Sequence, residues 1–143
     1  DVEGALAEVA DRSAPILKLK GVTDTATPTT ALTTDGNAPA GGNVFSLDDN
    51  DSAVISALVV ARLSVNGETK AWKIEAVVDN TTGQAAQFVG TPVKTELGGT
   101  SSDLDCNIVL NGSQAIIEAT GGLSDTYAVW WSCTFNTATA TTF

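Results

Sequence analysis

The chain runs to 143 residues, 43% of them apolar and 17% charged, which is enough to bury one core without disulfide staples and excludes a disordered chain. Its net charge of −10, from 17 acidic and 7 basic residues with no basic cluster, opposes binding to a phosphate backbone or an anionic lipid surface. His is absent, which removes the commonest catalytic base and metal ligand, and two isolated Cys cannot close a zinc shell.

Residues 1–15 form a short, acidic, Ala-rich lead with weak helical spacing at Leu6 and Val9, expected to serve as a tether or subunit contact. The chain opens at Asp1 and contains no Met, so its start is expected to be either processed or cut from a longer polypeptide. No signal peptide and no apolar run of membrane-spanning length is read in it. Ile16 to Lys20 alternates as a strand, and Gly21 to Pro28 is turn material. Thr29 to Thr33 and Val44 to Leu47 are short strands on either side of a loop carrying Asp35-Gly36-Asn37, Pro39 and Gly41-Gly42. Asp48-Asp49-Asn50-Asp51 then reverses the chain. Such a run of oxygens could suit calcium, but the alternation, central Gly and distal Glu of an EF-hand loop are missing, and a solvated turn is the expectation.

Val54 to Val78 is the most informative stretch. Two alternating runs meet at Asn66-Gly67, the pair suited to a two-residue type I′ turn. With that loop Ala61 faces Trp72, Val59 faces Ile74, Ala57 faces Ala76 and Ile55 faces Val78, giving one almost wholly apolar face. The other face carries Ser56, Arg62, Ser64, Thr69, Lys73 and Glu75, with Leu58, Val60 and Val77 among them. Ile55, Val59, Trp72 and Ile74 are therefore predicted core.

Ala86 to Leu97 continues as a strand interrupted at Gly90 and Pro92, which argues for an edge position or a bulge. A second hairpin, with Asn111-Gly112 as its loop, sets Ile108 against Ala115, Cys106 against Ile117 and Leu104 against Ala119, so Ile108 and Ile117 join the predicted core. Gly121-Gly122 ends it. Tyr127 to Phe135 is the last strand, with Tyr127, Val129, Trp131, Cys133 and Phe135 on one face and Ala128, Trp130, Ser132 and Thr134 on the other. Residues 137–143 read as an exposed tail. The pattern predicts an all-β fold, an antiparallel β-sandwich of jelly-roll type with about nine strands, occupying residues 16–136.

Little chemistry is available. No Ser or Cys has a His to activate it and no carboxylate pair is singled out by spacing, so no enzyme, no catalytic residue, no metal site and no cofactor are expected. Cys106 and Cys133, each in an apolar alternating run, are either two buried small hydrophobes or a disulfide between neighbouring strands. Trp130, Trp131 and Tyr127 could stack on a sugar ring; aromatic residues on a terminal strand also serve as core or subunit contact. Tyr127 and Trp130 are the candidate surface contacts. The sequons at Asn50, Asn80 and Asn111 are most simply turn residues.

Leu19-Lys-Gly-Val-Thr-Asp-Thr-Ala-Thr-Pro-Thr, Leu32-Thr-Thr-Asp-Gly, Leu58-Val-Val-Ala-Arg, Ala71-Trp-Lys-Ile-Glu, Val89-Gly-Thr-Pro-Val and Val129-Trp-Trp-Ser-Cys-Thr follow one another in that order. Together, from Ile16 to Phe135, they resemble a β-rich module at the carboxy-terminal end of tailed-bacteriophage tail fibres and related virion surface proteins. The resemblance implies a virion structural protein, a capsid decoration or fibre subunit, assembled in the host cytoplasm and carried on the extracellular particle. Expected partners are further copies of the chain, as a homotrimer, and another virion protein, with no nucleic acid and no membrane. Two alternatives stay open: a receptor- or glycan-binding module at a fibre tip, taking a host-surface glycan, and a bacterial surface or filament subunit that donates its lead to the next copy.

Overall fold

A computed structural model of the chain describes residues 16–64, 67–99, 103–121 and 128–141. They form an all-β antiparallel sandwich of ten strands: β1 (Ile16–Thr23), β2 (Thr29–Ala31), β3 (Phe45–Ser46), β4 (Ser52–Leu63), β5 (Thr69–Asp79), β6 (Gln87–Phe88), β7 (Val93–Gly98), β8 (Asp105–Asn111), β9 (Gln114–Thr120) and β10 (Val129–Ala140). One sheet has the order β1-β10-β4-β5, with β6 and β7 sharing the far edge of β5. In the other, β9 is flanked by β8 on one side and by β2 and β3 on the other. β1 pairs with β10 in the larger sheet and β2 with β9 in the smaller. β4 and β5 stay together in the larger sheet as a hairpin.

Strict alternation decides what lies inside. On β4, Ala53, Ile55, Ala57, Val59, Ala61 and Leu63 are buried while the intervening residues are exposed or half-buried. β5 answers with Lys70, Trp72, Ile74, Ala76 and Val78. All six predicted core residues, Ile55, Val59, Trp72, Ile74, Ile108 and Ile117, are buried. Trp72 stacks on Trp131 with ring centroids 5.6 Å apart, and the Trp131 indole N–H donates to the Thr23 hydroxyl at 2.9 Å, so the buried polar edge is satisfied.

Both hairpin registers differ from the predicted ones by two residues. Val59 pairs with Trp72, Ala57 with Ile74 and Ile55 with Ala76, and the Leu63 N–H donates to the Glu68 carbonyl, so the first connection is longer than Asn66-Gly67; Val65 and Asn66 themselves lie outside the described residues. In the second, Asn111 pairs with Gln114 and Ile108 with Ile117 around Gly112-Ser113. Gly112 there has φ +60 while Ser113 does not enter positive φ, the signs of a type II′ turn with Gly first. A shift of two preserves the side to which every residue points, which is why the core was predicted correctly despite the wrong partners.

Other boundaries moved for local reasons. Gly21 does not end β1: it pairs with Trp131 inside the strand, and a Cβ there would sit 2.8 Å from Leu32 Cδ2, so the bare glycine lets Leu32 close over the sheet. Gly90 and Pro92 split the predicted 86–97 strand into β6 and β7, both on the edge as expected, with a bulge opposite Ala71/Trp72. The expected tail is instead strand as far as Ala140, because Thr137 to Ala140 complete the ladder on Ile55 to Ser52.

Cys106 and Cys133 are buried free thiols, so the disulfide alternative is corrected. Their sheet neighbours are Ala119 for Cys106, and Leu19 and Val59 for Cys133, none of them a cysteine. Burial pushes both thiols up from 9.0 to about 12. The native state thus holds these protons more tightly than the unfolded chain: the associated stability is complete below about pH 9 and is lost as pH rises towards 12. In the folded protein at pH 8, an aromatic disulfide reagent should label neither thiol until denaturant is added, whereupon two react. Fast labelling of the native state would contradict the packing described.

Candidate functional site

The inner faces of the sheets are filled by the core, so the surfaces available for function are the outer faces and the loops, and the larger sheet has the more extensive outer face. Adjacent strands place the outward side chains in rows: Val22–Trp130–Arg62–Thr69, then Lys20–Ser132–Val60–Ala71, Lys18–Thr134–Leu58–Lys73, Ile16–Asn136–Ser56–Glu75 and Ala138–Val54–Val77. In the middle, Val54, Leu58, Val60 and Val77 are each 40 to 49% exposed, and Val93 and Leu97 of β7 extend the apolar surface beyond β5. Large aliphatic residues in the centre of a sheet face are costly in water, at about 25 cal/mol per Å² of apolar area.

Two shallow hollows mark this face. One, of about 220 Å³, lies among Leu58, Val60, Ala71, Leu97, Ser132 and Thr134; the other, of about 230 Å³, among Val54, Ser56, Asn136, Thr137 and Ala138. At the β1 end a larger groove of about 320 Å³ is lined by Lys20, Gly21, Val22, Thr30, Gly36, Trp130 and Trp131. Trp130 is 58% exposed. It is the predicted surface aromatic residue that the structure places outside, whereas Trp131 turns into the core and Tyr127 lies outside the described residues. Trp130 and Trp131 cannot act as one platform because neighbours on a strand point to opposite faces.

Charge is distributed unevenly. Lys18, Lys20, Arg62 and Lys73 stand on this outer face against Glu75 and Asp79, so it is net positive in a chain of −10. Lys70 is turned inward, 3.6 Å from Glu96 and over the Trp72 ring. Lys94 joins the two sheets at one side, donating to Asp105 at 2.6 Å and to the Cys106 carbonyl and the Asn107 side chain at 3.1 Å. Leu58, Val60 and Val77 were visible in the sequence as apolar residues on the polar side. The contributions of Val22, Val93 and Leu97 were not, since only the pairing of β1 and β7 into this sheet brings them there.

The loops are built for rigidity. The Asp35 carboxylate accepts from the Asn37 backbone N–H at 3.0 Å, the Asn43 side chain at 3.0 Å and the Thr33 hydroxyl at 3.1 Å, and these bonds hold it at about 2, below the ordinary carboxylate value of 3.8. Asp48 to Asp51 makes a turn with Asn50 at φ +63, its N–H donating to the Asn80 carbonyl. Among the described residues no three Asp, Glu or Cys side chains converge as metal ligands would.

No protein-family model matches the chain, and no curated protein matches it. Among solved structures, the crystal structure of the Acinetobacter baumannii phage AM24 tailspike protein overlaps 87% of this chain with a TM-score of 0.38 and 13% sequence identity. The chain spans about a quarter of that protein's length, 26%.

Proposed function

We propose that the chain is a structural subunit of a bacteriophage virion, displayed on the particle surface as a capsid decoration or fibre subunit and assembled with copies of itself, a trimer in the simplest case, and with another virion protein. The observation that carries this reading is the outer face of the larger sheet: Leu58 and Val60 stand exposed at the centre of a rigid, fully hydrogen-bonded sheet, where a contact surface needs them. It is supported by the ordered sequence resemblance from Ile16 to Phe135 to virion surface modules. No cofactor and no catalytic step belong to this role, which is architectural: stiff sheets hold the loops in place while the apolar face joins neighbours.

Electron microscopy of intact particles bearing the chain tests it. The expected result is a symmetric set of copies with Leu58 and Val60 covered at the contact between subunits. Copies whose larger sheet faces solvent, or particles with no copy at all, would remove the proposal. A second reading, adhesion to a host-surface glycan, is favoured by the groove at Trp130, which the exposed indole lines together with Lys20 and Thr30. That role requires glycan binding that Trp130→Ala abolishes while leaving assembly intact.

A further inference from the structure

We propose that the outer face of the larger sheet receives residues 1–13 of a second copy, so that subunits join head to tail, each donating its lead to the next. This rests on the architectural role above and names the contact that serves it. Three observations converge. The face is net positive through Lys18, Lys20, Arg62 and Lys73, whereas the segment ahead of Pro15 holds Asp1, Glu3, Glu8 and Asp11 against Arg12 alone. The apolar residues of that segment, Val2, Leu6 and Val9, recur at the spacing that lines one side of a helix, and the face offers two apolar hollows beside Leu58 and Val54. The sheet also offers room: β1, β10, β4, β5 and β7 at about 4.8 Å between strands span about 19 Å.

Charge disfavours the isologous arrangement, in which two such faces meet, each carrying Lys18, Lys20, Arg62 and Lys73 against only Glu75 and Asp79. Folding back onto the same sheet is disfavoured by Ser13-Ala14-Pro15: the proline biases Ala14 towards extended backbone directly ahead of Ile16, where a tight reversal would be required. A heterologous contact of this kind closes into a ring or continues as a filament according to the rotation between copies.

The test uses three full-length chains: wild type, Leu6→Asp with Val9→Asp, and Leu58→Glu with Val60→Glu. Sedimentation velocity is run over a dilution series, with native near-ultraviolet circular dichroism required of each variant. Wild type should associate, more weakly at 1 M than at 0.1 M salt, as charge attraction is screened. Each variant alone should associate about thirtyfold more weakly or worse. Mixed in equal amounts, the two variants should recover a two-copy species, because the first retains its face and the second its lead.

Association of wild type with no recovery in the mixture overturns the proposal. So does association undiminished by Leu6→Asp with Val9→Asp, although the architectural role would survive that result. A monomeric wild type in which Leu58 and Val60 are shielded from hydroxyl-radical labelling at every dilution would show the chain's own lead as the occupant, and also overturns it. Absence of the chain from particles, in contrast, removes the architectural role whatever the lead does.

Discussion

Trp72→Ala should cost about 3–5 kcal/mol, a large share of the 5–15 kcal/mol typical of a domain this size. The side chain is 2% exposed and lies flat against Trp131, so truncation removes both its transfer from water and half of a stacked pair, leaving a cavity that the flanking sheets are too rigid to close. The loss should spread. Trp131 is held by Thr23 at the far end of β1, and without the stack its ring gains freedom and the near-ultraviolet circular dichroism of the indoles should weaken. Chemical denaturation followed by tryptophan fluorescence measures the free energy. A fall of under about 1 kcal/mol would mean that the two indoles do not form the centre of the core.

Gly99→Ala is expected to release β7 from the sheet, at a cost of about 2–4 kcal/mol. Gly99 has φ +120, which a Cβ strains, and that Cβ would lie 2.7 Å from the Lys70 Cα and from the Thr69 carbonyl oxygen, both backbone atoms that cannot step aside. Relief comes most cheaply by detaching the edge strand. This also withdraws Leu97 from its hollow, Glu96 from Lys70, and Lys94 from Asp105 on the opposite sheet. Amide hydrogen exchange should therefore accelerate from Val93 to Gly98 before elsewhere. Gly98→Ala is the control: a Cβ there meets nothing within 4 Å, and the change should lie within about 0.5 kcal/mol of wild type. Equal behaviour of the two variants would refute the steric account.

The long β4–β5 hairpin shows how the fold could be read and where the reading failed. Alternation assigned the residues of β4 from Val54 to Leu63 and of β5 from Thr69 to Val78 to inside or outside correctly, since burial of Ile55, Val59, Trp72 and Ile74 leaves no other choice. Turn chemistry alone set the predicted register, and Asn66-Gly67 pointed to a shorter connection than the one observed, in which the Leu63 N–H bonds to Glu68. The same displacement at Gly112-Ser113 was equally invisible, because a two-residue slip leaves the hydrophobic pattern unchanged. At the candidate site, Trp130 and the apolar trio Leu58, Val60 and Val77 could be picked out as apolar residues on a polar side. Their union with Val22, Val93 and Leu97 could not, for it depends on partners far along the chain.

By itself, then, the amino-acid order determined the all-β class, the two-sided character of each long strand, the identity of the core and the absence of histidine, because these follow from side-chain periodicity and composition. Only the tertiary structure decided that β10 lies between β1 and β4, that its last residues are ladder rather than tail, and that four of the chain's seven cations share one apolar sheet face. Pairing between distant strands is a property of two segments at once, and no local pattern in either one specifies its neighbour.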